Sequence, residues 1–389
     1  MKISARARGI AESATLSVAR TARELKAAGV DVIDLSVGEP DFPSPEVAVS
    51  AASKALADGF TRYTGNAGIP DLLEALASDY RRRHGSPWTA REAMVTVGAK
   101  MALFELAQAL FEDGDEVILP APYWVSLPEQ IRLAGARPVI VETSAEDGFR
   151  IEAEALLRAV TERTRAVLLN SPCNPSGGMM DAAELELLVR GCAEKGLVLI
   201  ADETYERFVY GGRRAVSAAA LAAEFPQTVV VVGSFSKTYA MTGWRLGYAL
   251  GPAPILQAIG KIQSHATSNP TSFAMVGAVA ALEHGEAQWL ERRAEFEARR
   301  DLLVPLLNRL PGISCAEPAG AFYVFPGVTG CYGEGREDSI AVAQWFLEEA
   351  RVAVVPGIAF GCEGHVRMSF ACSREDLQEA HSRLHALLS

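Results

Sequence analysis

A chain of 389 residues, 49% hydrophobic and 22% charged, is long enough for one large domain and a smaller one and too apolar to be disordered. Its formal net charge of -11, with no basic block, argues against nucleic acid as a partner. No apolar run approaches the roughly 18 residues of a membrane span, the basic start MKISARARGI meets Glu12 before a signal-like core forms, and six scattered cysteines read as free thiols, so a cytoplasmic location is expected.

Taken in order, the chain opens with an amphipathic helix around Ser17 to Ala28. VIDLSVGEPDFPSP follows, a strand that runs into a Gly/Pro-rich turn at Gly38. Helices are expected over Val47 to Asp58 and Pro70 to His84, the second closed by Arg81, Arg82 and Arg83, which read as a solvated end. AMVTVG, DEVILP, RPVIVE, RTRAVLLN, LVLIAD, TVVVVGS and GYALG are short apolar runs. Helical segments separate them, among them Lys100 to Phe111, one from Trp124 and one from Asp181. Seven such runs imply an α/β fold, a mainly parallel seven-stranded sheet with helices on both faces.

A long charged helix, WLERRAEFEARRDLLVPLLNRL, then leads to GAFYVFP, a helix around Ile340 to Ala350, RVAVVPG, HVRMSFA and a closing helix. This portion suggests a smaller α+β domain. The expected divisions are residues 1–45 and 286–389 for that domain, built from both chain ends and including the linking helix, and 46–285 for the large domain.

The chemistry-bearing residues fall after the strands, where open α/β sheets bind ligands. In VVVVGSFSKTYAMTGWRLGYALG a buried strand ends in a turn that holds Lys237, one of only seven lysines. Arg245 lies in the apolar run WRLGYAL with no acidic neighbour in sequence, and reads as a buried guanidinium that needs an anion. A phosphate gripped by Arg245 and the hydroxyl of Ser234 answers that need. A lysine beside a permanent cation and partly desolvated has a lowered pKa and can form a Schiff base with an aldehyde. An aldehyde cofactor that carries a phosphate is pyridoxal 5′-phosphate. The bland alternative is a buried strand followed by a turn whose Lys and Arg are solvated.

LIADETY ends another strand with Asp202, a costly place for a carboxylate without a cationic partner. Facing a pyridine nitrogen it would keep that nitrogen protonated; alternatively it caps the next helix. TVGAKMALFEL is a strand, a glycine turn and a helix start, where the amides near Gly98 and Ala99 suit a phosphate. HVRMSFA sets Arg367 between apolar residues, which a bidentate grip on a substrate α-carboxylate explains. SPCNPSG carries two X-Pro bonds, an invitation to a cis peptide that would aim Asn174.

SFSKTYAMTGWRLGYALG resembles the cofactor-attachment region of the class I pyridoxal-phosphate aminotransferases (fold type I), and with the other segments the likeness covers essentially the whole chain. It is closest to the bacterial aspartate aminotransferase branch. The resemblance implies that Lys237 holds the cofactor and shuttles the proton, and that Ser234 and Arg245 hold the phosphate. Asp202 would face the ring nitrogen, and Tyr205 and Asn174 the ring hydroxyl. Trp124 would stack on the ring, and Gly38 would close over the substrate. Tyr63 would reach the phosphate of a neighbouring subunit, making a homodimer with shared sites. Many relatives carry Gly, Ser or Thr where this chain has Ala99.

In another branch an arginine shortly before an SNP sequence binds the substrate's side-chain carboxylate. Here Ser264-His265-Ala266-Thr267 precede Ser268-Asn269-Pro270, so that arginine is missing. In the branch that this sequence resembles, the positions of Lys100 and of Ser13-Ala14-Thr15 play that part. The expectation is therefore an aspartate:2-oxoglutarate aminotransferase with prephenate as a further acceptor and no metal. Two alternatives stand beside it: another enzyme of the same fold acting on aromatic amino acids, alanine or a kynurenine or performing β-elimination, and an aminotransferase-like protein that only senses the cofactor.

Overall fold

The computed structural model describes residues 2–12 and 14–389. The first strand, β1 (Ile33–Asp34), belongs to the periphery. Seven strands then build the central sheet: β2 (Ala93–Thr96), β3 (Glu116–Ala121), β4 (Arg137–Glu142), β5 (Thr164–Asn170), β6 (Val198–Asp202), β7 (Val229–Ser234) and β8 (Gly247–Leu250). Their spatial order is β2-β8-β7-β6-β5-β3-β4. Only β8 runs against its neighbours, so the sheet is mainly parallel as expected.

Parallel strands are covered on both faces and therefore read as unbroken apolar runs. Every residue of β7, VVVVGS, is buried. One face packs beneath Leu72, Leu76, Leu188 and Met275. The other packs beneath Leu103, Leu106, Leu127 and Ile131. Among the described residues no helix is long and apolar enough to cross a membrane. All six cysteines are unbridged.

The helices Ala14–Ala27, Glu46–Ala57, Pro70–His84, Ala99–Leu110 and Ala182–Glu194 lie close to the expected positions. The third starts on Pro70 and stops at Gly85, whose φ of 68° supplies the left-handed cap. Two long helices, Ala253–Ala266 and Ser272–His284, have no counterpart in the sequence expectation, nor do short ones such as Ala5–Arg8 and Ala153–Arg158. The helix Ser272–His284 carries Ala274, Met275, Gly277, Ala278 and Ala281 buried, so it shows little of the one-sided pattern that betrays a surface helix. Gly277 allows its close approach to Glu46–Ala57: a Cβ there would lie 2.8 Å from the Ala48 carbonyl oxygen.

The long helix Glu286–Leu307 leads to β9 (Tyr323–Val324), β10 (Val352–Ala353), β11 (Val355–Pro356) and β12 (Val366–Ser369). β12 pairs antiparallel with β9 and β11, while β1 pairs parallel with β10, so a segment from near the amino terminus docks on the carboxyl-terminal portion. Ile33 and Leu35 share an apolar cluster with Phe322, Phe346, Val352 and Phe370.

Arg83 corrects the reading of a solvated helix end. Its guanidinium donates to Asp79 at 2.9 Å and to both oxygens of Glu206 at 2.8 Å, and Arg207 reaches Asp79 at 2.7 Å, all four largely buried. Arg81 and Arg82 of the same run are exposed, as expected. The partner Glu206 lies 123 residues away, beyond the reach of a local pattern.

Candidate active site

Adjacent parallel strands end side by side. Asn170 of β5 is in register with Asp202 of β6, and Ser234 closes β7 next to them. A cavity of about 340 Å³ opens above these strand ends, and Asp202, Ser234 and Lys237 line it together with Tyr205, Asn174 and Arg367. Gly38, Ala99, Lys100, Trp124, Arg245 and Thr15 line it as well. A larger cavity of about 720 Å³ shares Lys100 and Arg245 with it but contains none of Lys237, Asp202 and Arg367.

Lys237 sits in the one-turn helix Phe235–Thr238, which Ser234 caps by accepting a hydrogen bond from the Ser236 amide at 3.0 Å. Its Nζ donates to the Gly38 carbonyl at 2.5 Å. Burial lowers the amine to about 8, against the pull of Glu39, and the charges of Arg367, Arg245 and Lys100 push the same way as burial. A large share of the amine is therefore neutral near pH 8, the state in which a lysine is a nucleophile or base.

Burial has the opposite effect on Asp202, raising its carboxyl to about 6 despite hydrogen bonds from Thr204 and the charge of Lys237. Both Thr204 bonds, from its amide at 3.2 Å and its hydroxyl at 2.7 Å, go to Oδ1. The residues after Asp202 form a turn and not a helix, so the capping alternative fails, and Asp202 lines the cavity. Tyr205 is buried, and its hydroxyl lies 2.9 Å from that of Tyr323.

Asn174 and Arg367 meet. Arg367 Nη1 donates to Asn174 Oδ1 at 3.0 Å, and Nη2 to the Ser36 carbonyl at 2.5 Å. The Arg367 guanidinium is 2% exposed and lies over the rings of Tyr323 and Phe360 at 4.5 and 5.1 Å. Its Nε has no hydrogen-bond partner among the described residues. The Ser171–Pro172 bond preceding Asn174 is cis, as is Ala121–Pro122.

Arg245 departs from expectation: it is exposed. Its backbone adopts φ 56° at the end of the turn Thr242–Trp244, which takes the side chain out of the apolar run. There it donates to the Thr242 carbonyl at 2.8 Å and lies against Gly98, the residue ahead of the helix Ala99–Leu110. Gly98 has φ 81°, and a Cβ on it would come within 2.6 Å of Arg245 Nη2. The backbone conformation favours glycine at that point, whereas the tip of the exposed Arg245 side chain could move aside. The amino terminus of a three-turn helix and a guanidinium thus converge on one edge of the cavity, an arrangement that favours an anion.

The ammonium of Lys100 lies 4.9 Å from the centre of the Trp124 ring. Loss of hydration, and then the charge of Arg245, lower its pKa even though the residue as a whole is exposed. Tyr63 is 88% exposed and does not line this cavity. Ser13 lies outside the described residues. Tyr323, Ser236, Thr204 and Ser36 also belong to the site and were not singled out from sequence. Tyr323 was hidden because GAFYVFP reads as an ordinary apolar strand.

A lysine nucleophile, a buried carboxylate, an anion cradle and a buried guanidinium in one cavity at the carboxyl edge of a parallel sheet define an enzyme that works through a phosphorylated carbonyl cofactor. A family model described as Aminotransferase class I and II matches residues 30–384. An aspartate aminotransferase of Geobacillus stearothermophilus is 43% identical over 100% of this chain and 99% of its own length. An aspartate/prephenate aminotransferase of Nitrosomonas europaea is 41% identical over the whole of both chains. The solved structure of aspartate aminotransferase from Thermus thermophilus with maleate superposes with a TM-score of 0.95 at 42% identity, covering both chains completely.

The chain belongs to the class I and II aminotransferase family. It is a transaminase of fold type I whose cofactor is pyridoxal phosphate, and such enzymes take amino acid and 2-oxo acid substrates. The residues present fit that group. Lys237 has a lowered pKa to meet its aldehyde, Asp202 is a buried carboxylate suited to a cationic ring nitrogen, and the Gly98 and Arg245 cradle leaves room where a side chain would intrude.

Proposed function

We propose that the chain is an aspartate aminotransferase that passes an amino group between aspartate and 2-oxoglutarate in a ping-pong cycle, with prephenate as a further acceptor. The observation that carries this reading is that one cavity holds two separate cations for a dicarboxylate. Arg367 is buried with an unsatisfied Nε, and Lys100 lies over Trp124. Arg367 grips the α-carboxylate, and Lys100, with Thr15 and Ser13, holds the side-chain carboxylate. The names of the relatives, aspartate aminotransferase and aspartate/prephenate aminotransferase, agree with this choice of substrate.

Bound pyridoxal phosphate supplies an electron sink for charge that develops at the substrate α-carbon. Lys237 Nζ, lowered to about 8, takes the α-proton. Asp202 is the counter-charge of the ring nitrogen, and Tyr205 and Asn174 orient the ring oxygen. Ser234, Arg245 and the amides at Gly98 and Ala99 hold the phosphate, while Trp124 packs against the ring. Gly38 closes the entrance and excludes water. In this reading residues 1–45 and 286–389 form the domain that closes on residues 46–285. Exposed Tyr63 completes the site of a second copy in a cytoplasmic homodimer.

The test is a half-reaction screen of the holoenzyme with each amino acid, followed by the change in cofactor absorbance. Aspartate and glutamate should react fastest. Lys100→Ala should lower kcat/KM for both by about 10- to 100-fold, the loss expected for one close charge pair, while alanine changes by no more than about 2-fold. An equal fall for alanine and aspartate would remove Lys100 from substrate selection.

A further inference from the structure

Tyr323, in β9, is 1% exposed and lines the catalytic cavity. β9 pairs with β12 so that Tyr323 stands opposite Ser369, two residues beyond Arg367. Side chains on that diagonal share one face of the sheet, within reach of an aromatic ring. The Arg367 guanidinium accordingly lies 4.5 Å from the centre of the Tyr323 ring. The same ring meets that of Tyr205 edge to face at 5.7 Å, and the two hydroxyls are 2.9 Å apart. Packing alone asks only for a ring: Phe322, the residue before, is fully buried among the same aromatics without a hydroxyl. The Tyr323 hydroxyl is the part that packing does not explain.

Each phenol carries one proton, and burial raises both above the ordinary range, so both protons stay in place at neutral pH. Only one of them can occupy the bond between the two oxygens. Among the described residues neither hydroxyl has another hydrogen-bond partner, so one O–H is left over beside the cavity. The surroundings decide which one. Tyr323 Oη is crowded by the Gly38 backbone, where an added Cβ would lie 2.5 Å away, and its ring faces a guanidinium, which accepts nothing. Tyr323 therefore spends its proton on Tyr205. The surplus proton belongs to Tyr205, the hydroxyl set against the cofactor's ring oxygen in the proposed function.

We propose that Tyr323 is a positioning residue of the transamination: its hydroxyl donates to Tyr205, which commits the Tyr205 proton to the ring oxygen of the cofactor, and its ring seats the Arg367 guanidinium. This role rests on the placing of Tyr205 at that ring oxygen. A hydroxyl that accepts one hydrogen bond becomes a stronger donor in the next, by roughly 10–30% per bond. Tyr323 thereby favours the anionic form of the ring oxygen without touching it. The pair also joins β9 of the carboxyl-terminal portion to the turn after β6, across 118 residues of sequence.

The test is an absorbance titration of the holoenzyme with pH, in the absence of substrate. A ring oxygen less stabilised as an anion moves the midpoint of the cofactor's spectral change to higher pH. Tyr323→Phe keeps the ring and removes only the hydroxyl, and should raise that midpoint by about 0.3 to 1 pH unit. Tyr205→Phe should raise it more, and the double variant should match Tyr205→Phe alone, because Tyr323 acts only through Tyr205. Steady-state KM for amino acids should change by no more than about 2-fold in Tyr323→Phe. Tyr323→Leu, which also takes the ring away from Arg367, should raise KM by about 3- to 10-fold. A midpoint moved by Tyr205→Phe but not by Tyr323→Phe, or shifts that add in the double variant, would overturn the role of the Tyr323 hydroxyl alone. A midpoint unmoved by Tyr205→Phe would remove Tyr205 from the ring oxygen, and Tyr323 with it. Equal KM in Tyr323→Leu and Tyr323→Phe would overturn the seat for Arg367.

Discussion

Arg367 Nη1 donates to Asn174 Oδ1 across 3.0 Å, joining two side chains 193 residues apart, one on β12 and one in the loop after β5. This bond ties the carboxyl-terminal strands to the central sheet at the point where substrate is held. It also fixes the guanidinium with Nε still unsatisfied.

Replacing Arg367 by Ala should therefore lower kcat/KM for every amino acid tested, by about 30- to 1,000-fold, the cost of losing a desolvated charge pair of ~2–4 kcal/mol. Arg367→Lys should recover only part, because an ammonium cannot reproduce the fork. Steady-state kinetics with aspartate, glutamate and alanine check this. A defect confined to one substrate would show that Arg367 does not bind the α-carboxylate.

Asp79 accepts bonds from Arg82, Arg83 and Arg207 at 2.9, 2.9 and 2.7 Å while only 7% exposed. Asp79→Ala strands buried guanidiniums and should cost about 3–5 kcal/mol of stability, measured by urea unfolding of the holoenzyme. A loss below about 1 kcal/mol would mean that Glu206 alone satisfies the cluster.

Glu105, in the helix Ala99–Leu110, is wholly buried, and neither carboxyl oxygen has a partner. Burial raises its pKa to about 8. Between the ordinary carboxylate range and pH 8 the folded chain keeps a proton that the unfolded chain releases. Stability from this group is thus present at low pH and declines as pH rises, by up to about 1.4 kcal/mol per unit. Glu105→Gln should flatten that slope between about pH 5.5 and 7.5 in urea titrations. Identical slopes in the two proteins would contradict the raised pKa.

How much of this was readable in sequence depended on whether a residue's cost was local. Lys237 and Arg367 stood out because a charge beside a strand of valines or between Val366 and Met368 demands an explanation from its neighbours alone. Asp202 stood out for the same reason. Arg245 was misjudged as buried, since only the left-handed turn at φ 56° removes it from the apolar run. Arg83 was misjudged as solvated, since Glu206 comes from the turn after β6, 123 residues away. Tyr323 was invisible because an aromatic in an apolar strand is ordinary until Tyr205 is found 2.9 Å from its hydroxyl. The helix Ser272–His284 lacked a polar face to announce it.

The central claim is that Lys237 Nζ is the atom that joins the cofactor. Borohydride reduction of the cofactor-saturated protein, followed by proteolysis and peptide mass analysis, tests it most directly. The account predicts that the peptide containing Lys237, and not those containing Lys100 or Lys261, gains the mass of the reduced phosphopyridoxyl group. An unmodified Lys237 peptide from saturated protein would contradict it.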